Sequence, residues 1–247
     1  MTDFDPIASA TTKVADNREP AFVHESDHQE AGSRLDGFRS RSGGKGPNVV
    51  IVLMDDVGWG DFGCYGGGVA VGAATPHIDA LAQRGLRLTS AYSEPSCTPS
   101  RATLLTGRLP MRHGLQRPPM YGEGGGLEGE ITLAELLSAQ GYVTQCVGKW
   151  HLGENQQSQP QHVGFDDFYG FLSVSDMYTE WRDPYFFPEI VYSKARTEWV
   201  ENQPFNKSFV HAERGGELTE VEEVTIPVLS ELDQRWCEYS EAFIRRM

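Results

Sequence analysis

The first clear hydrophobic pattern in the chain is Val49-Val50-Ile51-Val52-Leu53-Met54, an unbroken and largely β-branched apolar run. A run without polar alternation predicts a strand buried on both faces of a parallel sheet. Thr75-Pro76 then opens a helix through Ile78, Leu81 and Ala82, closed by Gly85, with cap, proline and glycine in the expected order. Residues 86–92 predict a second strand. Thr98-Pro99 reads as another helix start. Thr132 and Glu135 have capping-box spacing for a helix carrying Leu133, Leu136 and Leu137 as far as Gly141. Residues 142–147 predict a third strand. The alternation of strand and helix predicts an α/β fold, with a doubly wound, mostly parallel sheet covered by helices on both faces. Near the end, Leu229, Leu232, Trp236, Tyr239 and Phe243 recur at helical spacing and predict an amphipathic helix.

Elsewhere the pattern is weak. Residues 1–46 are polar, with few spaced hydrophobics, and predict a disordered arm ahead of a folded region from 47 to 247. The glycine-rich run 122–129 lacks the spacing of a phosphate loop and reads as flexible surface. Residues 163–188 are aromatic and irregular (Phe165, Phe168, Tyr169, Phe171, Tyr178, Trp181, Tyr185, Phe186, Phe187), as in a pocket lining or a cover for the sheet.

At 247 residues the chain is long enough for one good-sized core. Its formal charge of -14 argues against nucleic acid and against an anionic membrane as partners. An anionic substrate would need local positive charge, from a divalent metal and a few placed Lys and Arg residues. The cysteines, Cys64, Cys97, Cys146 and Cys237, form no Cys-x-x-Cys pair, so a zinc ribbon or disulfide scaffold is not expected. With no leader-like N-terminus and no membrane-length apolar run, the expected compartment is the cytoplasm.

Three stations carry chemistry. Asp55-Asp56 directly follows the first predicted strand, where open α/β sheets bind ligands. Adjacent carboxylates repel unless a cation lies between them, and oxygen donors suit calcium, or less well magnesium. The alternative is an Asp pair capping a turn. Cys97-Thr98-Pro99-Ser100-Arg101 sets a thiol in the field of a helix N-terminus beside a cation, which favours an anion there. Three residues between Cys97 and Arg101 are too few for a phosphatase-type loop, and an inert thiol is the plainer alternative. Gly148-Lys149-Trp150-His151-Leu152-Gly153 follows the third strand. Lys149 could fix an anion and His151 could move a proton; two apart in extended chain, they would share a side. A surface lysine and a histidine packed on Trp150 is the other reading.

Taken together, in this order and spacing, the stations resemble the N-terminal half of a type I sulfatase of the alkaline-phosphatase superfamily, from about Pro47 to the chain end. The resemblance implies an incomplete sulfatase domain and hydrolysis of a small-molecule sulfate ester. It implies that Asp55 and Asp56 are calcium ligands, and that a formylglycine-generating enzyme converts Cys97 to formylglycine, itself a metal ligand. Arg101 would brace that group, Lys149 would bridge it to sulfate, and His151 would hold its hydroxyl. A phosphonate or phosphate monoester hydrolase of the same superfamily, or a non-catalytic remnant, are the alternatives. The family pattern also needs an Asp-Asn pair, a His and a Lys further downstream. No Asp-Asn-Gly occurs between His151 and Met247, and His162 and His211 make poor candidates. A truncated chain with weak activity of its own is therefore expected.

Overall fold

The computed structural model describes residues 25–41, 46–119, 124–173 and 208–247. They belong to two compact units, one within Ala15–Tyr92 and one within Ser93–Met247.

In the unit within Ala15–Tyr92, α1 (Glu25–Arg41) is a helix where the pattern predicts an unstructured arm. It is a polar helix with an exposed Arg34–Glu30 pair at 2.6 Å, one turn apart, so local helical spacing of opposite charges replaces an apolar face. The two predicted strands of this unit are absent. Residues 49–54 have no regular secondary structure and join no ladder, and even the least exposed of them, Leu53, is 46% exposed. Residues 86–92 likewise form no strand. β-branched chemistry favours extended backbone, but a strand also needs a hydrogen-bonded neighbour, and no described residue pairs with either run.

The predicted helix forms as α2 (Pro76–Arg84), with proline in its first turn. The Thr75 hydroxyl does not cap it; it accepts from the Gly63 N–H at 2.9 Å and donates to Asp79 at 3.1 Å. Asp79 also accepts from the Cys64 N–H at 2.7 Å, so the short 3-10 turns after Asp56 are tied to the start of α2. Asp61 accepts from the Gly58 N–H at 2.6 Å, the turn role its position predicts.

The other unit holds α3 (Cys97–Thr106), α4 (Pro110–His113), α5 (Leu133–Ser138), β1 (Gln145–Lys149), β2 (Asp167–Phe171), β3 (Ser208–Glu213), β4 (Thr219–Glu223) and α6 (Ile226–Arg246). Capping chemistry sets the helices as the sequence predicts. The Thr132 hydroxyl accepts from the Glu135 N–H at 3.1 Å, and Glu135 reaches back to the Thr132 N–H. α6 begins with a Thr225 cap and a first-turn proline. The sheet is mixed, in the order β1-β2-β3-β4: β1 and β2 are parallel, and the other two pairings are antiparallel.

Alternation along the strands sends side chains to opposite faces. Phe168 and Val210 join Ala102 of α3, Leu115, Leu127, Trp150, Leu152, Val163 and Leu172 in one core. Phe171 and Phe209 face the other way, onto Val224 and onto Val228 and Leu232 of α6. Trp236 meets Phe171 edge-on at 5.6 Å, and Tyr239 stacks on Tyr169 at 4.4 Å. The sheet therefore carries helices on both faces. Of the aromatic segment, Phe168 and Phe171 are core residues, while Tyr178, Trp181, Tyr185, Phe186 and Phe187 lie outside the described residues.

The glycine-rich run is not loose surface where it is described. The Leu127 side chain is buried, and its N–H donates to the Leu152 carbonyl at 3.1 Å. A Cβ on Gly126 would collide with Ser158, so here glycine serves close packing.

β1 and β2 approach each other through paired glycines, Gly148 opposite Gly170. A Cβ on Gly170 would strike the Gly148 carbonyl oxygen. Gly170→Ala is therefore expected to push β1 aside and destabilise the fold by about 1–3 kcal/mol, read as a lower denaturant midpoint with an unchanged m-value.

Candidate active site

The sequence-predicted residues Cys97, Arg101, Lys149 and His151 meet where the first turn of α3 faces the end of β1. Ser96 takes the extended cap conformation, so Cys97 opens the helix, and Gly107 closes it in a left-handed turn. The Cys97 Sγ lies 3.2 Å from His151 Nδ1. The Thr98 hydroxyl donates to the His151 carbonyl at 2.7 Å. One turn further on, Arg101 Nη1 donates to the Lys149 carbonyl at 2.6 Å. Two side chains of α3 thus hold alternate carbonyls of the segment that carries Lys149 and His151.

From the opposite side, the Trp150 and His151 N–H groups donate to the Phe171 and Leu172 carbonyls at 2.8 and 3.0 Å, just past the last β1–β2 ladder pair, Lys149 with Phe171. His151 nonetheless turns out of extended geometry, at φ +59°. Alternation along a strand is therefore not what aims it; a left-handed residue is. Trp150 is buried, with its indole N–H on the Ser158 carbonyl at 2.9 Å, and anchors this turn.

The corner has positive character. The N-terminus of α3 lies at Cys97 and Arg101 follows one turn on, two features that favour an anion. Cys146 on β1 is the opposite case. Burial pushes its thiol up to about 12, against the pull of Arg101 and with the help of Asp167, so it stays protonated.

Asp55 and Asp56 lie in the other unit. Both are exposed, and Asp56 has φ +52°, a conformation that aspartate tolerates better than most residues. As a donor set for a divalent cation they suit a hard ion in kind, supplying carboxylate oxygens. They fall short in number: among the described residues no three His, Cys, Asp or Glu side chains form a group that could hold a metal ion. Of the histidines set aside by sequence, His211 lies within β3 and bonds Asp167 at 2.8 Å. Asp167 also accepts from Tyr239 at 3.0 Å and from Gln145 at 2.6 Å, which makes it a structural joint between strands and α6.

His113 supports α3 from behind. Its Nδ1 accepts from the Leu115 N–H at 3.1 Å, so the proton sits on Nε2, 3.4 Å from the Thr103 hydroxyl of α3. That hydroxyl in turn lies 3.5 Å from a Glu94 carboxylate oxygen. Burial lowers the His113 pKa, opposed by Glu130 and Glu94 and assisted by Arg108. Only the Arg112-His113-Gly114 turn beside the helix end could have flagged it. Glu154, three residues past His151, is a second residue without a sequence signal; burial pushes its carboxyl up to about 7.

A cysteine-led helix clamped to the end of a parallel strand, on a mixed sheet with helices on both faces, defines a class, and comparison with known proteins identifies it. The chain belongs to the sulfatase family, whose model, described as Sulfatase, matches residues 47–244. Its fold is that of the alkaline-phosphatase-like sulfatases. Over 134 residues it is 44% identical to human N-acetylgalactosamine-6-sulfatase, and over 129 residues 48% identical to human arylsulfatase A. Each match covers 50% of this chain and 25% of the relative, so the chain spans about a quarter of their length. The crystal structure of the PsFucS1 sulfatase from Pseudoalteromonas sp. is similar with a TM-score of 0.75 and 37% identity, over 96% of this chain and 48% of that one.

The His113 strut has a pH signature. With a folded pKa below the free value of 6.5, the unfolded chain binds more protons, so the stability His113 contributes is full above 6.5 and lost as pH falls below it. His113→Gln is expected to remove that part of the slope, measured as denaturation midpoint against pH.

Proposed function

We propose that this chain forms part of a sulfuric ester hydrolase whose nucleophile is generated at position 97 by a formylglycine-generating enzyme. The observation that carries the reading is the 3.2 Å approach of His151 Nδ1 to the Cys97 side chain at the head of α3. A side chain there sits in the positive field of a helix N-terminus with an imidazole in contact. That arrangement suits a group that must hold and release a proton while a tetrahedral anion is bound.

Formylglycine at this position would supply, as its hydrate, an oxygen nucleophile toward sulfur. The chain's own residues have separable tasks. His151 holds or takes a proton at the position 97 side chain. Arg101, by gripping the Lys149 carbonyl, fixes the strand end from which Lys149 reaches a sulfate oxygen, and its charge braces the same corner. Asp55 and Asp56 would contribute two carboxylates toward a calcium ion, an ion that supplies positive charge when bound, and they are too few to hold it by themselves. The small-molecule sulfate ester as substrate is supported by the sulfatase names of the relatives. A cytoplasmic location is consistent with four free cysteines. Among the described residues no helix is long and apolar enough to cross a membrane.

Peptide mass spectrometry of the chain co-produced with a formylglycine-generating enzyme tests the reading directly. Conversion of Cys97 is expected, and its complete absence would sink the proposal. In converted protein from the full reading frame, His151→Ala is expected to lower kcat by about 10²–10⁴-fold on an aryl sulfate, with aryl phosphonate as the competing substrate. The 247-residue chain alone is expected to bind calcium weakly in a calorimetric titration, and Asp55→Asn with Asp56→Asn to abolish what binding there is.

A further inference from the structure

Thr98 follows the proposed nucleophile directly, yet its hydroxyl serves another residue. Threonine in the first turn of a helix commonly spends its oxygen on the helix's own backbone. Here the buried Thr98 hydroxyl points away and donates to the His151 carbonyl at 2.7 Å, 53 positions along the chain. The receiving residue has an unusual backbone. His151 and Asp56 are the described non-glycine residues with positive φ, and His151 is the one that is buried. Such a conformation persists in a residue with a Cβ only where its surroundings enforce it.

We propose that Thr98 is a positioning residue: its hydroxyl clamps the left-handed turn at His151, and through that turn it sets the imidazole against position 97. The inference rests on the sulfatase reading for its catalytic meaning, though the clamp itself does not. Three contacts define the turn. The His151 N–H is fixed on Leu172 at 3.0 Å, the preceding Trp150 N–H on Phe171 at 2.8 Å, and the His151 carbonyl on Thr98. The first two come from successive N–H groups that donate to one neighbouring segment, which alternation along a strand does not allow, so they lie past the ladder and mark the departure from extended backbone. The Thr98 bond is the one that comes from α3, the helix that also carries Cys97. Because residues 97 and 98 are adjacent, the imidazole and its target share a single rigid reference, and the 3.2 Å Sγ–Nδ1 separation follows from it. Arg101 performs the same service for the Lys149 carbonyl from one turn further along.

Two substitutions separate the hydroxyl from the bulk of the side chain. Thr98→Val keeps the shape without the donor, and Thr98→Ser keeps the donor without the methyl group. In the isotopically labelled 247-residue chain with Cys97 unconverted, Thr98→Val is expected to move the His151 Cα shift out of the left-handed range. Exchange of the His151 N–H should quicken about tenfold, the order expected for one lost buried hydrogen bond. Thr98→Ser is expected to restore both signals. A bond that merely added to global stability would shift the denaturation midpoint and leave the His151 shift of the folded protein in place, which would overturn the proposal.

A second arm compares stabilities, and where Thr98→Val alone does not fold, recovery of folding in the Thr98→Val, His151→Gly double variant is the expected result and its absence overturns the proposal. Glycine accepts positive φ without a clamp, so the destabilisation caused by Thr98→Val should shrink in a His151→Gly background. Strict additivity in that cycle would also overturn the proposal. Neither readout requires formylglycine or turnover. Failure of the unsubstituted chain to be converted would therefore count against the sulfatase reading and leave the clamp to be judged by these measurements.

Discussion

The arrangement depends on a grip between a helix and a strand end that are far apart in sequence. Arg101 and Thr98, on one side of α3, take the Lys149 and His151 carbonyls at 2.6 and 2.7 Å. Backbone carbonyls just beyond a strand normally lose their ladder partners; here the helix supplies donors in place of a neighbouring strand. The consequence is geometric. The helix that presents position 97 and the segment that presents the lysine and histidine cannot move independently, because the same bonds define both. A site built this way is held by rigid elements, with few freely rotating torsions between its parts.

The sheet makes that grip possible. Parallel pairing of β1 with β2 ends at Lys149, and just beyond it the Trp150 and His151 amides are held on the Phe171 and Leu172 carbonyls while the helix claims the carbonyls of the same segment. The close glycine pair, Gly148 and Gly170, lets the two strands lie together immediately before the segment. On the far face, α6 docks through Leu232, Trp236 and Tyr239. There Asp167 joins β1, β2, β3 and α6 by accepting from Gln145, His211 and Tyr239. Burial and that carboxylate raise the Tyr239 pKa, keeping the phenol a donor at any ordinary pH. In a chain of formal charge -14, Arg101 and the N-terminus of α3 share the corner that holds Cys97 and the Lys149 carbonyl.

Cap and turn chemistry were legible in the sequence because they are local. Thr132 with Glu135 satisfies a helix start within a few residues and does so in the structure, and α2 opens with its proline as read, although the Thr75 hydroxyl goes to Gly63 and Asp79 instead of capping it. The chemistry of the stations was legible for a similar reason: a thiol, an arginine one turn later and a Lys-x-His pair declare their types wherever the chain places them. The apolar run at 49–54 misled because β-branched composition reports a preference for extended backbone and says nothing about a neighbour to pair with. The glycine-rich stretch misled the other way. Its composition suggests freedom, while Gly126 and Leu127 are packed against Ser158 and Leu152.

The sequence by itself determined which residues have chemistry to offer and where α2, α3 and α5 begin, since propensity, capping and residue type act over a turn or two. Only the tertiary structure decided how that chemistry is aimed. That His151 faces Cys97 is the result of a left-handed turn held from α3, against the alternation expected of an extended segment. Thr98 and His113 acquire their roles from contacts with residues distant or differently oriented in the chain, through bonds that no local pattern encodes. Long-range hydrogen bonds form only when packing has brought their partners together, so these contacts were silent in the sequence.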